Sequence, residues 1–500
     1  MSKKRTVSMR AIGYLLLMGG LLLLTGQACV FLLSLNNVVS PPPPSPAQPA
    51  LTSASVENGM VYFTANEGIS ALRASDGKQI WHIQRFLIDA PIVAGGVIYA
   101  RDFGDIFALR GSDGTQLWQY PFFQQPNAQA QPVQVIGDRV YVYDGQALSV
   151  LIAGRGIQAW STNDPVDVID INTLTISDGV VYYAAHHGNN TTSTIYARQA
   201  LDGKILWRYS ASVAGQPCAV ASIARALDVL YASASCNNGA GRTFALRASD
   251  GGLLWQFNMS GQFSVTEGVV CLRVTQTQGA PALADLYVLQ ASTGKLLWSD
   301  APGTSQDATQ MWMPGNGYVY MLRNNVLDAR RLSDGQPAWS MEIPYNAASQ
   351  TFETFSDPVF LGALNNIVYI QSSVVNQVTH TAFNRLYALQ ASTGKQLWSF
   401  QQQPSNLTWT TFNIDAGTGV ISIQGLDARN PTDVYLLRAS DGKPLGSVIQ
   451  SQGVNNVLIA NGTVYITSIA GDGNNTPFTY QMKALHPDNQ GGKMLWGFGT

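Results

Sequence analysis

One string recurs ten times along this chain, and a chain built on a repeat folds as a stack or ring of like units. It reads LRASDGKQIW at residues 72–81 and returns as LRGSDGTQLW, LRASDGGLLW, LQASTGKLLW and LQASTGKQLW. Aligned on the final residue, the copies end at Trp81, Trp118, Trp160, Trp207, Trp255, Trp298, Trp339, Trp398 and Trp496, with Gly446 at the equivalent place in LRASDGKPLG. Nine of the eleven tryptophans therefore occupy one position of one motif. The copies lie 37 to 59 residues apart, close to the period of propeller blades, with loop insertions accounting for the unevenness.

Each unit also has an upstream half, such as ENGMVYFTA from residue 57, SDGVVYYAA from 177 and ANGTVYITS from 460; the ninth has the weaker DAGTGVISIQ from 415. Asn-Gly or Asp-Gly ahead of a β-branched and aromatic run is a strong hairpin signal. Each unit thus predicts strand, tight turn, strand, short loop, strand, Ser-Asp-Gly or Ser-Thr-Gly turn, and final strand. Four antiparallel strands per unit make a propeller blade.

Alternation along the final strand suggests what the tryptophan is for. In KQLWSF, Gln396, Trp398 and Phe400 face one way and Leu397 and Ser399 the other, so apolar groups stand on both faces. Such a sheet is expected to be covered on both sides. In a ring, each indole can lie flat in the gap to the next sheet, burying about 150 to 250 Å² with its N–H on a partner. The small alanine before the turn (Ala74, Ala248, Ala291, Ala391) is expected to leave room for it.

Ala-Ser-Asp/Thr-Gly-Lys-x-Leu-Trp resembles the tryptophan-docking motif of the pyrroloquinoline quinone (PQQ) repeat family of β-propellers, over residues 51–500. The resemblance implies an all-β propeller of four-stranded antiparallel blades. Family members commonly have eight; ten units are present here. It covers quinoprotein alcohol dehydrogenases and an outer-membrane assembly lipoprotein that acts as a non-catalytic scaffold, so it specifies the fold and is nearly silent on function.

The first fifty residues are of different material. Residues 11–35, AIGYLLLMGGLLLLTGQACVFLLSL, carry no charge and are long enough to cross a bilayer as a helix. Lys3, Lys4, Arg5 and Arg10 precede them, favouring an N-inside orientation with the rest of the chain outside. A cleaved signal peptide and lipidation at Cys29 are the competing readings; Gly26 stands where a lipobox wants an aliphatic residue. The expected organisation is a cytoplasmic basic segment, 1–10, a transmembrane anchor, 11–35, a Pro-rich linker, 36–50, and the propeller, 51–500. Only 12% of residues are charged, with 29 basic and 31 acidic side chains. There is no footprint for nucleic acid.

Signs of chemistry are few. A PQQ-dependent dehydrogenase resembling the family would need an Asp base, a Glu/Asn/Asp calcium set and, in many cases, adjacent cysteines, and no adjacent pair occurs. Asp76, Asp113, Asp202, Asp250, Asp334 and Asp441 fall in turns, where carboxylates cap their own backbone. Asp102 and Asp105 have no such assignment and are expected in a solvated loop. His82, His186, His187, His380 and His486 lack metal-ligand spacing and are expected in surface loops. GDGNN at 471–475 lacks the ladder of a calcium loop. Cys218 and Cys236 lie nine residues either side of Leu227, opposite one another if that residue centres a hairpin: a disulfide outside the cytoplasm, or else two buried thiols. Cys271 is expected to be packed in a strand. Trp312 and Trp409 fall outside the docking set and are either core or, with Met311 and Met313, a ligand surface on the inner strands. The expected function is a membrane-anchored extracytoplasmic scaffold that binds a protein, peptide or glycan, with no catalytic residue, metal or cofactor. The alternative is a quinone-dependent dehydrogenase with divergent cofactor ligands.

Overall fold

The computed structural model describes residues 53–499 except 66–67, 123–132, 146, 163–166, 188–191, 214, 237–239, 275–285, 301–310, 324–325, 344–352, 377–380, 402–407, 427–432, 450–453, 471–478 and 488–492. The expected segments 1–10, 11–35 and 36–50, with Cys29, lie outside the described residues. Among the described residues, no helix is long and apolar enough to cross a membrane.

Ten antiparallel sheets follow one another in chain order, each of four strands, with a further two-residue strand, Ser212–Val213, on the fifth. The first blade pairs Ser53–Glu57, Met60–Ala65, Gly68–Arg73 and Gln79–Gln84 in sequence order. The tenth repeats the scheme with Val454–Ala460, Thr463–Ala470, Thr479–His486 and Lys493–Gly499. Ten blades match the ten repeats, not the eight common in the family. The first strands of neighbouring blades approach one another, Ser53–Glu57 lying beside Val454–Ala460. They are therefore innermost, and the tryptophan-bearing strands outermost.

Both turns follow from residue type. Between first and second strands, Asn58, Asp178, Asn316 and Asn461 have φ of 49 to 54° and the glycines after them 71 to 78°. Two successive left-handed residues define the hairpin turn whose twist matches that of the strands. In the second turn all six expected aspartates cap the amide two residues on, at 2.9 to 3.1 Å. In five of the six the residue three before the aspartate is an arginine matched to it; before Asp202 it is Gln199. Arg73, Arg110, Arg247, Arg331 and Arg438 pair with Asp76, Asp113, Asp250, Asp334 and Asp441. Where the turn carries threonine the partner is glutamine: Thr293 and Thr393 donate to Gln290 and Gln390 at 2.8 Å. LRASDG and LQASTG are thus two versions of one local bond, one charged and one neutral.

The seams between blades hold the tryptophans. Each of the nine indole N–H groups donates to a carbonyl of the next blade at 2.6 to 3.0 Å: Gly111, Ala153, Ala200, Ala248, Ala291, Leu332, Ala391, Ala439 and, from Trp496, Ala74. Beneath the ring lies the turn glycine of that next blade. A Cβ on Gly294 would stand 2.5 Å from Trp255, and one on Gly251 2.6 Å from Trp207. Glycine, not the expected alanine, makes the room: Leu332 occupies the alanine position in the seventh blade and still accepts its indole.

A tyrosine of the second strand leans on the indole of its own blade. Ring centroids are 5.9 Å apart for Tyr231 and Trp255, and 6.0 Å for Tyr465 and Trp496. Tyr231 and Trp255 both donate to the Ala291 carbonyl. The pair then packs on Val270, Leu272, Tyr287 and Leu289 of the following sheet. Each core cluster of this kind belongs to a seam.

The expectation that both faces of the last strand are covered does not hold. Leu397 is 46% exposed, while Trp398 is buried. The register slips opposite this point, Ala388 pairing Trp398 and Leu389 pairing Gln396. A bulge therefore turns the leucine out to solvent while the ring stays in the seam.

Candidate functional site

The carboxylates without a turn assignment prove to be structural. Asp102 accepts from Arg85 Nε at 2.5 Å and from the amides of Gly104 and Asp105 at 2.9 and 2.7 Å. Burial alone would raise its pKa, but these hydrogen bonds and the Arg85 charge together hold it below the usual carboxylate value. Asp105 accepts from Gln119 at 2.6 Å, and Arg85 sits over the Phe107 ring, 3.8 Å from its centre. The pair is partly buried and engaged, not the solvated loop expected.

Nor do the described histidines lie in surface loops. His82 is within the strand Gln79–Gln84, its Nδ1 2.9 Å from the Ser70 hydroxyl. His186 and His187 end the strand Val180–His187, and His486 ends Thr479–His486. His380 and residues 471–475 lie outside the described residues. Among the described residues, no three His, Cys, Asp or Glu side chains cluster as a metal would require.

Cys218 and Cys236 are directly paired across a hairpin turning at Leu227 and Asp228, and are joined by a disulfide. Cys271 is buried, and desolvation, with Glu267 nearby, pushes its thiol up to about 12. Trp312 packs on a cluster containing Val319, Met321 and Val288, so it is core between the sixth and seventh blades. Met313 packs toward the eighth. The side chains of Met311 and Trp409 lie outside the described residues. The sequence candidates are not brought together at one place.

The seam that differs joins the ninth and tenth blades. All nine other blades place tyrosine or, in the sixth, cysteine opposite a small residue and then the tryptophan, as in Tyr62–Ala71–Trp81, Tyr141–Val150–Trp160 and Cys271–Val288–Trp298. In the ninth that row is Ser422–Leu436–Gly446. Two rings are lost, and leucines fill part of the space. Leu445 is 7% exposed against 37 to 46% for Leu117, Leu206, Leu254, Leu297, Leu397 and Leu495 at its equivalents. It packs with Val420, Leu436, Val457 and Leu485. Above them opens a notch of about 560 Å³ lined by Thr418, Gly419, Val420, Arg438, Leu445, Gly462, His486 and Pro487, among others. A notch of about 530 Å³ occupies the matching place between the sixth and seventh blades, beside Leu297 and Leu332. Notches on this face therefore belong to the architecture, and the lining of the ninth seam is what sets it apart.

The sequence profile of the family described as outer membrane protein assembly factor BamB, a PQQ-type repeat family, matches residues 45–132, 124–340 and 285–471. The chain belongs to the BamB-like PQQ-repeat propeller family. No curated protein matches it. Among solved structures, BamB from Moraxella catarrhalis is similar over 67% of this chain and 93% of its own, at 17% identity and a TM-score of 0.36. A eukaryotic initiation factor is similar over 89% and 98%, at 10% identity and 0.49. A dipeptidyl aminopeptidase IV homologue from Bacteroides ovatus covers 85% and 63%, at 7% and 0.42. Likenesses this distant say nothing of activity. Membership in the BamB-like family rests on the repeats themselves.

Sequence reasoning missed the seam between the ninth and tenth blades as a site, although Gly446 marked it. The further signals were Ser422 in place of the repeated tyrosine and Pro487 in place of the repeated alanine, both readable once the strand register was known.

Proposed function

We propose that this BamB-like chain is a membrane-anchored propeller on the outer side of a membrane that binds a protein partner and carries out no reaction on it. The observation that carries this reading is the engagement of the carboxylates. Six aspartates cap turn amides, and Asp102 and Asp105 are bound to Arg85, Gln119 and backbone N–H groups. A general base must be within reach of a substrate proton and unencumbered by a cation. The family's description as a protein assembly factor favours a protein partner over a glycan. The uncharged run 11–35 behind four basic residues supports the anchor and its orientation.

Two experiments test the reading. Protease added to intact cells should remove the propeller and leave a short membrane stub, whereas protection of the propeller would reverse the orientation. Purified protein incubated with PQQ and calcium should bind no chromophore and show no dye-linked alcohol or sugar oxidation. Saturable oxidation would make it a dehydrogenase.

A further inference from the structure

We propose that the end of the ring carrying Phe86 and Phe103 docks on a lipid bilayer, the two phenyl rings entering its interfacial zone. The inference rests on the membrane-anchored reading and assigns that anchored propeller a lipid-facing end. Among the described residues these are the only exposed aromatic side chains, 62% and 81% accessible. The exposed leucines ahead of the tryptophans are spread blade by blade around the circumference and single out no place.

Phe86 lies in the connection from the first blade to the second, and Phe103 in the loop between Val97–Arg101 and Asp105–Arg110. Hydrogen bonds tie the two segments together. On one side of Phe86, Arg85 Nε donates to Asp102 at 2.5 Å; on the other, the Ile88 amide donates to the Arg101 carbonyl at 3.0 Å. Asp102 also closes the loop around Phe103: its second carboxylate oxygen accepts the amides of Gly104 and Asp105, and its own amide donates to the Asp105 carbonyl. Arg101, with a side chain 3% exposed, holds Asp89 at 2.6 Å. Backbone is thus fixed on both sides of each exposed ring. Side chains presented on loops already ordered lose little further freedom when they are buried against something else.

Two observations name the occupant. The first is where the described chain begins. The turns at Asn58 and Asp76 share one end of the ring, joined by the bond from the Ala74 amide to the Gly59 carbonyl. Ser53, paired with Thr64, and Gln84, paired with Gly68, stand at the opposite end, and Phe86 and Phe103 stand there with them. The sequence ahead of Ser53 leads back to the uncharged run 11–35. The second observation is charge. Arg85 is paired with Asp102 and Asp105, and Arg101 with Asp89, so these loops offer no free cation to an acidic partner. A bilayer interface takes up apolar side chains without asking for a charged counterpart.

The test uses the full chain reconstituted in phosphatidylcholine vesicles whose lipids carry a nitroxide just below the headgroup, with one fluorophore on the protein. Cys29→Ser leaves no other reactive thiol, and Gly104→Cys places the label beside Phe103, where a Cβ meets nothing within 4 Å. Leu227→Cys is the control, at a 91% exposed turn on the opposite end of the ring. The nitroxide should quench the label at position 104 and not at 227, and equally at low and high salt, because salt screens charge attraction and leaves apolar burial standing. Replacing both rings, Phe86→Ser with Phe103→Ser, should bring position 104 down to the level of 227. If that double variant fails to fold, Phe103→Ser alone should lower the quenching. No quenching at 104, equal quenching at both positions, loss of quenching at high salt, or quenching that survives removal of the rings would each overturn the proposal. Shielding of the label that appears without lipid and grows with protein concentration would assign the rings to a second copy of the chain and overturn it too. A failure here with the propeller still removed by external protease would strike this inference and leave the anchored reading standing.

Discussion

Trp496 donates its indole N–H to the carbonyl of Ala74 at 2.8 Å, across 422 positions of sequence. The ring of Trp496 lies against Gly77, as Trp255 lies against Gly294. The first and last blades are each complete in chain order, so the circle is closed by the same contact that joins consecutive blades. Closure is therefore one more seam, with Val61, Phe63 and Leu72 packed on Tyr465, Met482 and Trp496.

The ninth seam should depend on Leu445 in a way that no other seam depends on its leucine. Leu445→Ala removes a buried side chain and is expected to cost about 2 to 4 kcal/mol, whereas Leu297→Ala, at a 37% exposed position, should cost less than about 1 kcal/mol. Amides flanking Gly446 should also be the first in the ring to exchange, because opening free energy follows local packing. Denaturant unfolding of both variants and an exchange map of the native chain check this.

Blade number, strand order and the docking role of the tryptophans were legible in the sequence because they come from short-range patterns repeated ten times. The direction of each tryptophan, toward the next blade, followed from its surplus over what a hairpin needs. The exposure of Leu397 was not legible, because a bulge opposite Ala388 and Leu389 breaks the alternation that a strand otherwise obeys. Asp102 and Asp105 were misplaced in solvent because Arg85, 17 residues from Asp102, comes to it only through pairing of the first two blades. The site in the ninth seam needed the register as well: Ser422, Leu436 and Gly446 are far apart in sequence and adjacent in the sheet.

The three described cysteines should separate cleanly by reactivity. In the native chain none should react with a maleimide: two are joined, and Cys271 is buried with its thiol pushed up to about 12, so almost no thiolate exists at neutral pH. Reduction should expose Cys218 and Cys236 alone. Losing the bridge is expected to lower stability by about 2 to 4 kcal/mol, read by peptide mass mapping and by thermal unfolding with and without reductant.

Acid should act late on the turn carboxylate of Asp113. Asp113 is lowered from 3.8 to about 2 by hydrogen bonds from the Thr115 amide and side chain and from Arg110. Its folded value is depressed, so its contribution is fully present above the unfolded value near 3.8 and is lost as pH falls through about 2. A carboxyl titration by NMR should place the midpoint there, and Asp113→Asn should flatten the stability profile over that same interval.

The most direct measurement is a double-mutant cycle on Trp255 and Gly294. Trp255→Ala should cost about 3 to 5 kcal/mol, as other large-to-small changes in packed cores do. Gly294→Ala in the native background places a Cβ 2.5 Å from the indole at a φ of +68°, and both the clash and the left-handed backbone oppose it. With the indole already removed, only the backbone penalty of about 1 to 2 kcal/mol remains. If the tryptophan is a wedge seated on the next blade's turn, the second substitution should be at least about 1 kcal/mol milder in the Trp255→Ala background. Costs that simply add would mean that the ring and the glycine do not meet, and that the repeated tryptophan does not hold the blades together.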